Sequence, residues 1–359
     1  MDGEFQPTDS KDKSLSKEWS LPSIDMGGSL LTSRNHQDLN KPIEDEIRIA
    51  RNSRFAILCD GMGGHDSGEV AAQLAINTMY PILDRMPATS PVQEIHNSIG
   101  TALDTAHRQV VNYRESNNKD SMGTTAVALF IKSNPDGSRQ AVIGSIGDSR
   151  AYIYDQNRNL THITVDDSRL MKRLRDLNYT DVQLRIEQAK HSEAAQLTQE
   201  DAFLSQAIGG HSQLAIRITT LDLSPGDMII LASDGVTDPL RTSEIQDIIR
   251  KNESKTADDL ATLLINQAEK VKGGREKDDD RSTIVIKIGP NEIPQGVSSD
   301  PLHLSELTKP TDLVDIVREH TELGIPAGII LQALHGSESA FASIPEGGLK
   351  EAVKRLKKQ

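Results

Sequence analysis

Apolar runs of strand length and apolar stripes of helical period follow one another along the first 290 positions of the chain. Phe55-Ala56-Ile57-Leu58-Cys59 is a short apolar run that stops at a glycine-rich turn, Asp60-Gly61-Met62-Gly63-Gly64. The pattern after it predicts a helix over residues 68–79. A second helix is predicted over 92–114, where Ile95, Ile99, Leu103, Ala106, Val110 and Tyr113 fall three or four apart and mark one buried stripe. The period then changes to two. Strands are predicted over 124–131 and 140–146, joined by the turn Asn134-Pro135-Asp136-Gly137, and again over 151–154.

Residues 166–212 are polar and mixed, with helical pieces expected at 168–177 and 198–207. Strands resume at 215–219 and 228–232. A helix over 256–271 carries Leu260, Leu263, Leu264 and Val271, and a last strand covers 283–288. Runs of strands and of helices without strict alternation argue for an α+β fold of stacked antiparallel sheets with helices outside, not a doubly wound nucleotide-type sheet.

The two ends read differently. Residues 1–24 are polar and rich in Ser, Lys and Asp, which reads as a flexible arm with no apolar segment of signal-peptide type. Residues 290–300 read as a proline-containing linker. Beyond it the pattern is helical: Leu313, Ile316, Val317 and Leu323 mark one helix ending at Gly324, Pro326 suits the first turn of a second ending near Gly336, and 349–358 form a third, basic one. The expected organisation is an arm (1–24), a main domain (25–289, with its polar stretch at 166–212), a linker (290–300) and a small helical C-terminal segment (301–359).

Composition narrows the function classes. Acids outnumber bases 53 to 40 in the 359 residues, a formal net charge of −13. Such a surface repels nucleic acid and acidic membranes but not divalent cations. Aromatics are only 3 %, so the core is built from Leu, Ile, Val and Ala. No apolar stretch is long enough to span a membrane. A single cysteine, Cys59, excludes a disulfide within the chain and fits a reducing cytoplasm.

The candidate chemistry lies in aspartates placed where strands end. Asp60 follows the first apolar run, and Asp148 follows the strand ending at Ile146. Asp234 follows the strand over 228–232 within Ser233-Asp234-Gly235. Asp278-Asp279-Asp280 precedes the last strand, and Asp38 lies upstream of the first. Oxygen-only ligands favour hard cations such as Mg²⁺ and Mn²⁺, and no His- or Cys-rich set has zinc spacing. Two such ions sharing a carboxylate, at about 3.5–4 Å, can lower the pKa of a bridging water, and the hydroxide so formed can attack phosphorus in line.

The strings Asp60-Gly61-Met62-Gly63-Gly64-His65, Gly123-Thr124-Thr125, Gly147-Asp148-Ser149-Arg150-Ala151-Tyr152, Ser233-Asp234-Gly235 and Asp279-Asp280-Arg281-Ser282 occur in this order. Together they resemble the metal-dependent protein phosphatase family (type 2C), in its bacterial form, over residues 25–289. The resemblance implies an αββα four-layer sandwich, two antiparallel sheets flanked by helices, with metals in a cleft at the sheet edges. It implies that Asp60 bridges two Mn²⁺ or Mg²⁺ ions, that Gly61 offers its carbonyl, and that Asp234 and Asp279 hold one ion. Asp38 would sit close by, partly through water. Asp148 with Asp234 would match a third, looser site, and residues 166–212 would form a flap beside the cleft. The implied activity is hydrolysis of phosphoserine and phosphothreonine proteins in bacterial signalling.

The chain departs from the pattern in two places. His36-Gln37-Asp38 stands where the family has Asn-Glu-Asp or Asn-Gln-Asp, and the family's phosphate-binding arginine falls on Ser33, one place from Arg34. Among the three adjacent acids, Asp279 is the expected ligand because Asp280-Arg281-Ser282 then fills the positions that follow it.

Each residue also has a plainer role available. An aspartate before glycine commonly just shapes a turn, as Asp148 could in Gly-Asp-Ser. His65 is a candidate general acid for the leaving oxygen, or an exposed turn residue. Arg34 is a candidate phosphate clamp, or a surface arginine. Cys59 lacks the arginine six positions later that a cysteine phosphatase needs, since position 65 is histidine. The glycine-rich turn lacks the Lys-Ser or Lys-Thr of a nucleotide loop. Two other functions remain open on sequence: a phosphatase-like binding protein with little turnover, and an adaptor acting through residues 301–359. That segment reads equally as a helical cap or a partner-binding module, and its basic end as a contact for anionic lipid.

Overall fold

A computed structural model describes residues 24–33, 37, 41–51, 54–63, 67–119, 121–134, 136–194, 203–210 and 213–289. Of the expected arm (1–24), Ile24 belongs to the first strand and residues 1–23 lie outside the described residues, as do the linker, the C-terminal helices, Arg34, Asp38 and His65.

Among the described residues the chain forms β1 (Ile24–Leu31), β2 (Asp45–Ile49), β3 (Phe55–Met62), α1 (Gly68–Asp84), α2 (Val92–Ser116), β4 (Gly123–Thr124), β5 (Ala126–Ser133), β6 (Arg139–Ile146), β7 (Arg150–Tyr154) and β8 (Leu160–His162). There follow α3 (Arg169–Asp176), α4 (Asp181–Ala194), β9 (Arg217–Leu223), β10 (Met228–Ala232), α5 (Asp234–Thr237), α6 (Thr242–Lys251), α7 (Ala257–Lys270) and β11 (Arg281–Ile288). Two antiparallel sheets result. One runs β1-β11-β10-β7-β8; the other runs β2-β3-β5-β6-β9, with β4 on β3.

Strand alternation builds the layers. In β3, Phe55, Ile57 and Cys59 face α1 and α2, packing on Ala75, Ile76, Ile99 and Leu103. Ala56 and Leu58 face the other way, into a layer shared with Ile229, Leu231, Ile284 and Ile286 of the second sheet. That sheet turns Ile230, Tyr152 and Val285 outward onto Leu260, Leu264 and Ile249 of α6 and α7. The order is helices, sheet, sheet, helices, the four-layer sandwich expected.

Several elements differ from the sequence expectation. The helix over 68–79 continues to Asp84 with Pro81 inside it, and β9 begins two residues later than expected and runs longer. Tyr113 is half-exposed. Arg114 is buried instead, its guanidinium donating to the Gly209 carbonyl. Of the helix expected over 198–207, residues 203–207 are not helical, and the rest lies outside the described residues. The chain here is pinched rather than coiled. Ser168 pairs with Leu204, Arg169 N–H donates to the Phe203 carbonyl at 2.8 Å, and Ser205 N–H donates to the Asp167 carbonyl at 2.6 Å. β1, β2, β8, α4, α5 and α6 had no counterpart in the sequence reading.

Candidate active site

Asp60 lies near the end of β3. It shares the face of Ala56 and Leu58, so its carboxylate leaves the edge of the layer between the sheets. Its backbone is fixed from two sides. Asp60 N–H donates to Thr125 Oγ1 at 3.1 Å, and its carbonyl accepts from Thr125 N–H at 2.8 Å and Thr124 Oγ1 at 2.9 Å. Gly123-Thr124-Thr125 therefore serves as the clamp of the Asp60 backbone. Thr125 Oγ1 also lies 2.7 Å from Ser149 Oγ, which ties Asp60 to the Gly147-Asp148 turn. Gly61 has to be glycine, because a Cβ there would run into the carbonyls of Gly68 and Glu44.

Asp148 follows β6 in a turn where Gly147 has φ of +99°. That turn is bonded to the polar stretch beginning at 166: Gly147 N–H donates to Asp167 Oδ2 at 2.9 Å, and Asp167 N–H returns a bond to the Gly147 carbonyl at 2.8 Å. Arg175 and Arg217 hold the other oxygen of Asp167. Arg150 meets Asp166 through three bonds of 2.8–3.2 Å, with both side chains buried.

Asp234 begins α5, after β10. Ser233 N–H donates to the Ser282 carbonyl at 3.0 Å, and Ser282 N–H donates to Ser233 Oγ at 2.9 Å, so Asp234 and the acids before β11 are held side by side. Of those acids, Asp280 turns inward as a structural acceptor. Its two oxygens take the N–H groups of Ser33 and Glu44, each at 2.7 Å. Asp279 is the one left half-exposed at the cleft, with Lys277 Nζ 3.2 Å away.

Two participants escaped the sequence reading. Asp45 stands directly opposite Asp60 in the β2–β3 register and is 2 % exposed. The signal was present: Asp45, Ile47 and Ile49 alternate as a half-buried strand, which places Asp45 on the Asp60 face. Lys277 is the second. Its ammonium pairs with Asp234, with Asp238 at 3.0 Å and with Asp279 at 3.2 Å.

The electrostatics bind these groups into one cluster. Burial, followed by the charges of Asp45, Asp234, Asp279 and Asp148, pushes the Asp60 carboxyl well above its usual range. Burial lifts Asp45 to about 7; the Ser282 and Ser233 hydroxyls offset part of this, and Asp279 and Asp234 add to it. Burial and the charges of Asp234, Asp166 and Asp238 raise Asp148, against which Lys277 acts. Burial opposes the Lys277 ammonium, but Asp234, Asp238 and Asp279 outweigh it and hold it protonated. Buried acids that repel one another this strongly need a positive partner.

The donor set fits divalent metal ions. All its members are oxygen ligands, and Asp234 Oδ1 and Asp45 Oδ2 are buried with no hydrogen-bond partner. As they stand, no three acids among the described residues converge tightly enough to chelate one ion, and the Lys277 ammonium lies between Asp234 and Asp279. Cys59 faces the helices, and burial with the charges of Glu46, Asp45 and Asp60 pushes its thiol well above the usual range, so it is no nucleophile.

The family described as Protein phosphatase 2C matches residues 32–271. A serine/threonine phosphatase of Listeria welshimeri is 27 % identical over 225 residues, covering 60 % of this chain and 79 % of its own. The protein phosphatase PhpP of Streptococcus pneumoniae is 28 % identical over 245 residues, covering 66 % and 89 %. Among solved structures, the S. agalactiae serine/threonine phosphatase superposes with a TM-score of 0.59 at 22 % identity, over 74 % of this chain and all of its own. The catalytic domain of the phosphatase PstP, solved with two manganese ions, gives 0.55 at 22 %, over 74 % and 98 %. With the family matched across two-thirds of its length and the sandwich shared, this chain belongs to the protein phosphatase 2C family.

Proposed function

We infer that the protein is a metal-dependent serine/threonine protein phosphatase, with residues 25–289 as its catalytic domain. The observation that carries this is the set of strand-end carboxylates of Asp45, Asp60, Asp148, Asp234 and Asp279, whose charges bear on one another at the edge of the inter-sheet layer. The relatives named above are phosphatases, and their substrates, phosphoserine and phosphothreonine proteins, are proposed for this chain.

In this reading Asp60, the Gly61 carbonyl, Asp234 and Asp279 would hold two divalent ions, Mn²⁺ or Mg²⁺. Asp45 takes its place across from Asp60. Asp38 is an additional candidate near the first strand. Asp148 and Asp234 are the pair for a third, looser ion. Bound there, divalent ions supply a nucleophilic water at neutral pH and neutralise charge on the phosphoryl oxygens. The residues of this chain do the rest. Thr124 and Thr125 hold Asp60 still, Asp280 locks the exit of β1 and the entry of β2 against the cluster, and Ser233 aligns Asp234 with Asp279. Preorganisation of this kind spares the cost of assembling like charges during the reaction. His65 is proposed to protonate the leaving serine or threonine oxygen, and Arg34 to hold the phosphate. The reading places the protein in the cytoplasm, in keeping with one buried cysteine. Among the described residues no helix is long and apolar enough to cross a membrane.

The test is hydrolysis of a small aryl phosphate and of phosphothreonine and phosphoserine peptides by the full chain, after chelation and after adding Mn²⁺ or Mg²⁺. Metal-dependent turnover of all three is expected. A folded protein that binds Mn²⁺ yet hydrolyses none would leave a binding protein instead.

A further inference from the structure

Lys277 sits in the segment that leads into β11, two residues before Asp279. A lysine on such a loop ordinarily extends into water. This one is 27 % exposed and is drawn inward onto three carboxylates, those of Asp234, Asp238 and Asp279. Two of the three belong to the proposed metal site. The third, Asp238, follows Asp234 by one helical turn, its N–H bonded to the Asp234 carbonyl at 2.9 Å, and is half-exposed at the rim. The neighbouring cations are engaged elsewhere: Arg275 with Glu244 at 2.7 and 3.0 Å, and Arg150 with Asp166.

We propose that Lys277 is a tethered competitor for the divalent ion of the Asp234–Asp279 pair, so that metal binding is an exchange of one cation for another. The inference rests on the metal site of the phosphatase reading. An ammonium and a divalent ion need the same carboxylate lone pairs, and both cannot have them. Without metal, Lys277 relieves the repulsion among acids that would otherwise loosen the cleft. When an ion arrives, the ammonium leaves Asp234 and Asp279. Asp238, outside the expected ligand set and nearer solvent, keeps hold of it, so the charge is swung aside rather than released. Affinity for metal is thereby set below what the carboxylates alone would give, and the metal-free protein stays folded.

The test is calorimetric titration of chelator-stripped full-length protein with MnCl₂, together with melting temperatures in EDTA and in Mn²⁺. Lys277→Met keeps the aliphatic stem and removes the charge. It is expected to bind Mn²⁺ about tenfold more tightly, a change of about 1.4 kcal/mol. It is also expected to melt lower in EDTA and to gain more from Mn²⁺ than the wild type does. Lys277→Arg should retain the weaker binding. Arg275→Gln, which removes a charge that does not touch these acids, should leave affinity within about twofold. The gain should persist in high salt, which screens charge at a distance but not displacement at contact. Should the methionine variant not fold, Lys277→Gln makes the same measurement. Wild-type binding with no tightening in the variants overturns the proposal. Absence of Mn²⁺ binding in both overturns the metal site as well, so the two failures are told apart.

Discussion

Asp45→Asn separates the cost of the acid cluster from its use. Asp45 is buried opposite Asp60, with one oxygen lacking a partner and its carboxyl lifted to about 7. An unfolded chain gives up that proton near 3.8. Between these values the folded state holds the proton and the unfolded state does not, so stability falls as pH rises through the window and the cost is complete above it. The slope is at most about 1.4 kcal/mol per pH unit, which over some three units sets a ceiling of roughly 4 kcal/mol. Coupling to Asp234 and Asp279 and relaxation of the cleft bring the expected figure to about 2–3 kcal/mol. Asparagine keeps the shape without the charge. Urea unfolding followed by circular dichroism in EDTA should show the variant more stable than the wild type by that amount at pH 8, with most of the difference gone at pH 4.5. Mn²⁺ at about a thousandfold excess over Kd at pH 8 should reverse the order, since the wild type gains about 4.1 kcal/mol while the variant binds poorly. A variant less stable than the wild type in EDTA at pH 8, or a difference independent of pH, would refute the reasoning.

Other consequences follow from single contacts. His162 stacks on Tyr152 at 4.6 Å, and burial pushes its pKa down to about 3, so its neutral form stabilises the fold above pH 6.5 and that stability is lost as pH falls toward 3. His162→Phe should therefore flatten the acid limb of the stability curve. Arg150→Met strands the buried Asp166 and should cost about 3–5 kcal/mol in urea unfolding, most of it recovered by adding Asp166→Leu. Gly61→Ala should cost about 1–3 kcal/mol and weaken Mn²⁺ binding, because β3 must shift away from the Gly68 and Glu44 carbonyls. Asp280→Asn loses at least one of the two bonds that hold Ser33 and Glu44 N–H, and should raise hydrogen exchange at both amides.

The sequence made the centre of the fold legible because its strands are continuous apolar runs and its acids stand at their ends. β3, β5, β6, β10 and β11 were found for that reason, and with them Asp60, Asp148, Asp234 and Asp279. Of the three adjacent acids, Asp280 is turned inward onto two backbone amides, and Asp279 stays the proposed ligand. β1 escaped because Ile24–Leu31 carries Gly27, Gly28, Asp25 and Ser29 and is only half-buried. Gly27 is there so that α7 can pass close by, with Asp258 accepting from Gly28 N–H at 3.0 Å. α6 carried a readable stripe, Ile245, Ile248 and Ile249, and a Glu244 that accepts from Arg241 N–H, yet it is short. Asp45 stands in no motif of the sequence, and only the β2–β3 register sets it across from Asp60. Lys277 had no signal at all. A lysine among charged loop residues reads as solvated, and its three partners come from two separate segments that only the fold unites.

The most direct test of the account is turnover of a phosphothreonine peptide in saturating Mn²⁺ by the wild type and by Asp60→Asn, with the fold of each checked by circular dichroism. The account predicts metal-dependent hydrolysis by the wild type and a fall of at least about a hundredfold in the variant, the scale on which loss of a preorganised charged group acts. Equal turnover by the two folded proteins would contradict it.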